Sequence, residues 1–116
     1  MPKRIRLPGA KHARIPTDKL LRYALDPTHP RSRHKARVFA SALGIGQQDW
    51  RYLHDQILEA LPEAPVRSTR ITPFGAAYEV VVAIDGLNGA THPVVTTWIV
   101  EADAPPRLTS TWVDIP

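Results

Sequence analysis

His29, Arg31, Arg33, His34, Lys35 and Arg37 fall within one nine-residue stretch, and Thr96, Thr97, Arg107, Thr109, Ser110 and Thr111 crowd the end of the chain. Histidine, cation and hydroxyl together are the parts for cleaving RNA without a metal. The 2′-hydroxyl of the substrate attacks its own phosphate, which calls for a base, an acid and a positive charge. Histidine supplies the first two because it titrates near neutral pH. Lysine or arginine stabilises the charge that develops on the phosphorus oxygens.

Each of these residues also has a plainer reading. Lys35 stands one helical turn before Phe39, where its stem can lie over the edge of a core. His34 reads equally as a solvated surface residue. His29 reads as a cap or as filling for a loop bounded by Pro27 and Pro30. Threonine is an ordinary strand former. Trp98 and Trp112 fit core positions or a cross-strand pair better than platforms for bases. Trp50 and Tyr78 read as core. Arg107 is harder to absorb, because a charge between Pro105-Pro106 and an apolar strand needs a partner.

Other chemistries lack their motifs. There is no paired-histidine helix motif, EF-hand loop or phosphate-binding glycine loop, and no serine elbow. The chain has no cysteine, which removes disulfides, thiol nucleophiles and cysteine-ligated zinc together. No cofactor, metal or small-molecule ligand is expected. No apolar run approaches the ~20 residues of a membrane span, and Met1 to Leu7 lacks the apolar stretch of a secretory signal. A cytoplasmic protein without a membrane anchor is expected, and Met1 favours a complete product.

The charge is uneven. Residues 1–37 hold eleven Lys or Arg against two acids, whereas the remainder holds four Arg against nine acids. Such a segment is matched to a polyanion or to a strongly acidic protein. With 116 residues the chain fits a single domain, residues 1–116.

The elements that must position these groups follow from periodicity. Residues 1–16 read as a basic extended arm broken by Pro2, Pro8 and Pro16. A helical part, 17–62, begins with Thr17 as N-cap and a short helix over Asp18 to Leu25. A second helix starts at Ser32 and carries Ala36, Phe39, Ala40 and Leu43 as its apolar face, stopped by Gly44. A third starts at Gln47 or Gln48, with Trp50, Leu53, Ile57, Leu58 and Leu61 as its stripe, and ends at Pro62. The period then falls to two. Strands are predicted over Arg67–Thr72, Tyr78–Ile84, Val94–Glu101 and Arg107–Val113. The short connections between them favour an antiparallel β-meander over 65–116. The expected class is α+β, with the N-terminal helices packed on one face of a four-stranded antiparallel sheet.

Several strings in this order resemble an uncharacterised bacterial domain family. They are Leu7-Pro8-Gly9-Ala10, Leu25-Asp26-Pro27, His29-Pro30 and His34-Lys35-Ala36-Arg37-Val38-Phe39. Later come Phe74-Gly75, Gly86-Leu87-Asn88-Gly89, Thr97-Trp98-Ile99-Val100 and Pro106-Arg107-Leu108-Thr109. The resemblance covers nearly the whole chain. Members of that family resemble toxin modules, and helices before a four-stranded antiparallel sheet are similar to the barnase-like, colicin-like and RelE-like RNases. By position, the resemblance implies roles for His29, Lys35, Trp98, Arg107 and Thr109. The chain departs from the family pattern at Arg31-Ser32, where glycine is common, and at Thr111-Trp112, where a small residue and tyrosine are usual. Trp112 has no hydroxyl to offer a tyrosine-dependent mechanism.

The expectation is therefore a metal-independent endoribonuclease toxin of a toxin–antitoxin or polymorphic toxin system. His29, His34, Lys35, Arg107 and Thr109 form the catalytic candidates. Arg31, Arg33, Arg37, Thr97, Trp98 and Thr111 are the RNA-binding candidates. The partners are an RNA substrate and an acidic antitoxin or immunity protein. The alternative is a non-catalytic module, antitoxin, immunity protein or adapter, whose basic face docks an acidic protein. Binding of nucleic acid without cleavage is a third reading. The two outer strand candidates, Arg67–Thr72 and Arg107–Val113, offer edges for a partner strand.

Overall fold

A computed structural model describes residues 5–115. Helix α1 (Thr17–Lys19) runs on into a π-helical turn (Leu20–Ala24). Thr17 is the first helical residue and Pro16 the N-cap, so the cap lies one residue earlier than predicted. Helix α2 (Arg33–Leu43) follows Ser32 as expected. The Ser32 hydroxyl makes no capping bond, however. It is buried and donates to the Tyr23 carbonyl, tying the start of α2 to the preceding turn. Ala36, Phe39 and Leu43 are buried, whereas Ala40 of the predicted stripe faces solvent. Gly44 takes a left-handed φ of 66° and its N–H donates to the Ala40 carbonyl, while that of Ile45 donates to Phe39. This is the Schellman geometry, which a residue with a Cβ adopts only with strain.

Helix α3 (Trp50–Ala60) is entered through a 3₁₀ turn at Gln47–Asp49. Pro62 does not end the helical path. A second 3₁₀ turn, Leu61–Glu63, carries the chain past it, because a first-turn position needs no N–H from proline. Leu53 and Ile57 are buried, and Trp50 packs half-buried against the core.

The sheet has strand order β1-β2-β3-β4 and is antiparallel throughout, formed by β1 (Val66–Thr72), β2 (Gly75–Asp85), β3 (Thr91–Val100) and β4 (Arg107–Val113). Each strand runs close to its predicted bounds, with β2 longer at both ends and β3 starting earlier, at Thr91, and ending at Val100 rather than Glu101. Val80, Val82, Ile84, Val94, Trp98 and Leu108 meet Leu20, Phe39, Leu43, Leu53 and Ile57 from the helices in the core. The turn after β2 joins the two layers. The backbone N–H of Leu87 donates to the Leu43 carbonyl at 2.8 Å, and the Asn88 amide donates to Ala42 at 3.2 Å. The carbonyls left over at the end of α2 are thereby satisfied by the sheet. Three N-terminal helices on one face of a four-stranded antiparallel sheet make this an α+β fold. Among the described residues no helix is long and apolar enough to cross a membrane.

The N-terminal segment differs most from expectation. Lys3 and Arg4 lie outside the described residues. Residues 5–16 are not an extended arm. Leu7, Ala10 and Ile15 are buried in the core, a 3₁₀ turn forms at Ala10–His12, and Arg14 pairs in parallel with Arg107. Burial of three apolar side chains, at about 25 cal/mol per Å², outweighs the freedom of a solvated arm.

Candidate functional site

The helices cover one face of the sheet and leave the other open. Strand alternation would set every second residue of β4 on each face. A β-bulge changes this: Thr97 pairs with Ser110 and Trp98 with Leu108, so Thr109 is an extra residue in β4. Leu108, Thr111 and Val113 consequently point into the core. Arg107, Thr109, Ser110 and Trp112 remain accessible on the other side. Arg107, Thr109 and Trp112 border an open groove with Thr97, Ile99 and the β1–β2 hairpin. Thr97 and Thr109 share a hydroxyl–hydroxyl hydrogen bond of 2.7 Å.

Lys35 reaches this face around the edge of the sheet. Its Nζ lies 3.5 Å from Ser110 Oγ and 4.8 Å from the centre of the Trp112 ring. The ring attracts the ammonium through its quadrupole. His34 borders a smaller cleft with Lys35, Val38, Trp112 and Val113. Trp112 thus joins the His34 cleft to the larger groove. From the sequence Ser110 counted only among the strand hydroxyls and Trp112 as a core or cross-strand residue; neither stood in the catalytic or RNA-binding set. The three consecutive hydroxyl residues Thr109-Ser110-Thr111 signalled the strand without showing which of them faces out.

His29 is placed elsewhere. Its ring meets Tyr23 edge-on at 4.7 Å between centroids, and its Nδ1 accepts the backbone N–H of Arg31 at 3.1 Å. Asp26 anchors the same loop, accepting the N–H and hydroxyl of Thr28 at 2.9 and 2.7 Å. Those bonds hold the Asp26 carboxyl below the usual range. No described hydrogen bond joins His29 to β4, and His29 borders neither opening on that strand. Arg31, Arg33 and Arg37 are exposed around α2, without an ion pair among the described residues. Two RNA-binding candidates have buried side chains. Trp98 is 1% exposed, with its indole N–H donating to Thr96. Thr111 is also 1% exposed, with its hydroxyl donating to the Val95 carbonyl. Neither presents its side chain to a ligand.

A charged strap crosses the open face. Arg67 Nε donates to Glu79 at 2.7 Å and its terminal nitrogen to Asp114 at 3.0 Å, linking β1 to the end of β4. The Arg67 hydrogen bond holds the Glu79 carboxyl below the usual glutamate range; burial opposes it next in size, and the Arg67 charge and the Ser68 hydroxyl lower it further. A lowered folded value means that Glu79 stabilises fully above its unfolded pKa of about 4.3. That contribution disappears as pH falls through the lowered value. Glu79→Gln is expected to flatten the acid side of a urea-midpoint curve measured between about pH 6 and pH 3. A curve parallel to that of the unaltered chain would show that the strap adds nothing.

Comparison with known proteins shows likeness to a family and to a solved structure. The family described as a domain of unknown function (DUF6883) matches residues 6–114. A solved chain of a contact-dependent growth inhibition toxin–immunity protein complex from Klebsiella pneumoniae 342 is similar in structure, with a TM-score of 0.68 and 16% identity. The alignment covers 88% of this chain and 93% of that one. At this identity the likeness concerns the fold. No curated protein matches the chain by sequence.

Proposed function

The chain belongs to the DUF6883 family, and we propose that it is the toxin of a bacterial toxin–antitoxin or polymorphic toxin system, a metal-independent endoribonuclease that works on the open sheet face. The β4 bulge carries this reading. It sets Arg107, Thr109, Ser110 and Trp112 on one accessible face with Thr97, where Lys35 also arrives. Similarity of fold to a chain from a toxin–immunity complex supports the toxin context.

In this mechanism His34 is the histidine at the site. It takes the proton of the 2′-hydroxyl as that oxygen attacks phosphorus. The bond from phosphorus to the 5′-oxygen breaks, leaving a 2′,3′-cyclic phosphate and a 5′-hydroxyl protonated by water or by His34 in turn. Lys35 stabilises the charge on the phosphorane oxygens. Arg107 holds the backbone, and the Thr97–Thr109 pair with Ser110 orients it. His29 serves the loop rather than the reaction. An acidic antitoxin or immunity protein would cover the same face.

Inducible expression in a bacterial host, with sequencing of RNA 5′ ends, tests this. Growth arrest with discrete new cleavage sites is the expected result. Normal growth and intact RNA from a folded protein would overturn it in favour of a second reading, a non-catalytic docking module. A specific observation favours that alternative: Ile71 and Phe74 on the β1–β2 hairpin are 84% and 79% exposed beside the free edge of β1. Exposed apolar residues at a strand edge are suited to a protein partner.

A further inference from the structure

The bridge between Arg14 and Arg107 sets the backbones of two arginines side by side. The N–H of Arg14 donates to the Pro106 carbonyl at 2.8 Å, and the N–H of Leu108 donates to the Arg14 carbonyl at 2.9 Å. Residues paired in this way send their side chains to the same side of a sheet. Like charges opposite one another on neighbouring strands destabilise each other. Among the described residues one carboxylate compensates them: Glu101 lies 3.2 Å from Arg107, with both side chains about half exposed at 50% and 47%. Arg14 is exposed and has no carboxylate partner among the described residues.

The pair is also built in rather than incidental. Gly9, with a left-handed φ of 72°, turns the segment onto Pro106, which a Cβ at Gly9 would meet at 3.2 Å. Ala10 and Ile15 on either side are buried. The backbone beneath Arg14 is therefore held by packing and by two hydrogen bonds, while its side chain is left in solvent.

We propose that Arg14 and Arg107 together bind a phosphodiester of single-stranded RNA that flanks the one being cut. This inference rests on the RNA reading of the open face and adds a subsite to it. Arg107 borders the groove shared with Thr97, Thr109 and Trp112. Arg107 and Ser110 stand opposite Ile99 and Thr97, two residues apart on β3 because Thr109 bulges, roughly 7 Å at strand rise and about the spacing of neighbouring phosphates on an extended strand. The pair therefore takes a different phosphate from the one beside Lys35. Paired guanidinium forks match phosphate oxygens in geometry as well as charge.

The test is binding of a labelled oligouridylate RNA across a range of salt concentrations, with folding checked by circular dichroism. Arg14→Ala is expected to weaken binding about five- to tenfold near 0.15 M salt and to lower the log–log salt slope by about 0.7. Arg14→Lys is expected to keep the slope and lose part of the affinity, because the charge remains and the fork does not. Arg51→Ala on α3 removes an equal charge far from β4 and is expected to change neither. If Arg14→Ala matches Arg51→Ala while Lys35→Ala loses binding, the subsite is overturned and the RNA reading stands. If the unaltered chain binds no RNA, both are overturned. If RNA affinity is kept and affinity for polyglutamate falls, the pair serves an acidic protein and the proposal is also overturned.

Discussion

Lys35→Ala is expected to slow RNA cleavage by about a hundredfold, the scale of losing one preorganised group that stabilises transition-state charge. Helix α2 sets the Lys35 backbone, since Ala36 beside it and Phe39 one turn on are both buried. The ammonium is then held between Ser110 Oγ and the Trp112 ring, with no carboxylate partner among the described residues. A cation so placed is already oriented before substrate arrives. The competing account is that the lysine stem only covers the edge of the core. Lys35→Met separates the two, because it keeps the stem and removes the charge. The catalytic account expects Lys35→Met to be as slow as Lys35→Ala with unchanged stability, and Lys35→Arg to recover part of the rate. The measurement is the initial rate on a labelled RNA with protein of verified fold. Cleavage by Lys35→Met at the rate of the unaltered chain would reduce Lys35 to packing.

Local pattern made the helices and strands legible, and contacts distant in sequence decided what it missed. Helix α2 announces itself through Ala36, Phe39 and Leu43 and a glycine stop, because these signals all lie within one segment. The N-terminal segment sends no such signal. Leu7, Ala10 and Ile15 follow neither a helical nor a strand period, and prolines and cations surround them. The segment is held by partners far along the chain: Arg14 bonds to Pro106 and Leu108, and the Ile5 carbonyl accepts from Val66. Lys35 could be singled out from its own neighbourhood, but its partner Ser110 lies 75 residues away. The bulge at Thr109 was hidden for a different reason. In a run of three hydroxyl residues, no apolar alternation marks the extra one. The prolines around His29 announced a constrained loop, and the contact with Tyr23 then decided which way the ring turns.

Removal of the Trp98 side chain is expected to give a large loss of stability, about 3–5 kcal/mol for Trp98→Ala in a closely packed core. Trp98 is the largest of the fully buried side chains. Its indole N–H donates to Thr96 Oγ1 at 2.8 Å, and the Thr96 hydroxyl donates in turn to the Val80 carbonyl at 2.8 Å. A chain of two hydrogen bonds thus ties β3 to β2 inside the core. Thr96→Val isolates that chain, since it preserves shape and leaves the indole N–H buried without a partner. The expected cost is about 1–3 kcal/mol, more than a surface substitution would produce. Trp98 also pairs with Leu108, the residue just before the bulge at Thr109. Loosening this pair releases the geometry that brings Thr109 and Ser110 to the open face. Trp98→Ala should therefore lose RNA cleavage at temperatures where circular dichroism still reports a folded chain. Urea titration of both variants gives the stabilities. A Thr96→Val chain within about 0.5 kcal/mol of the unaltered one would mean that the indole finds another acceptor. The hydroxyl would then contribute little to holding the strands that position the site.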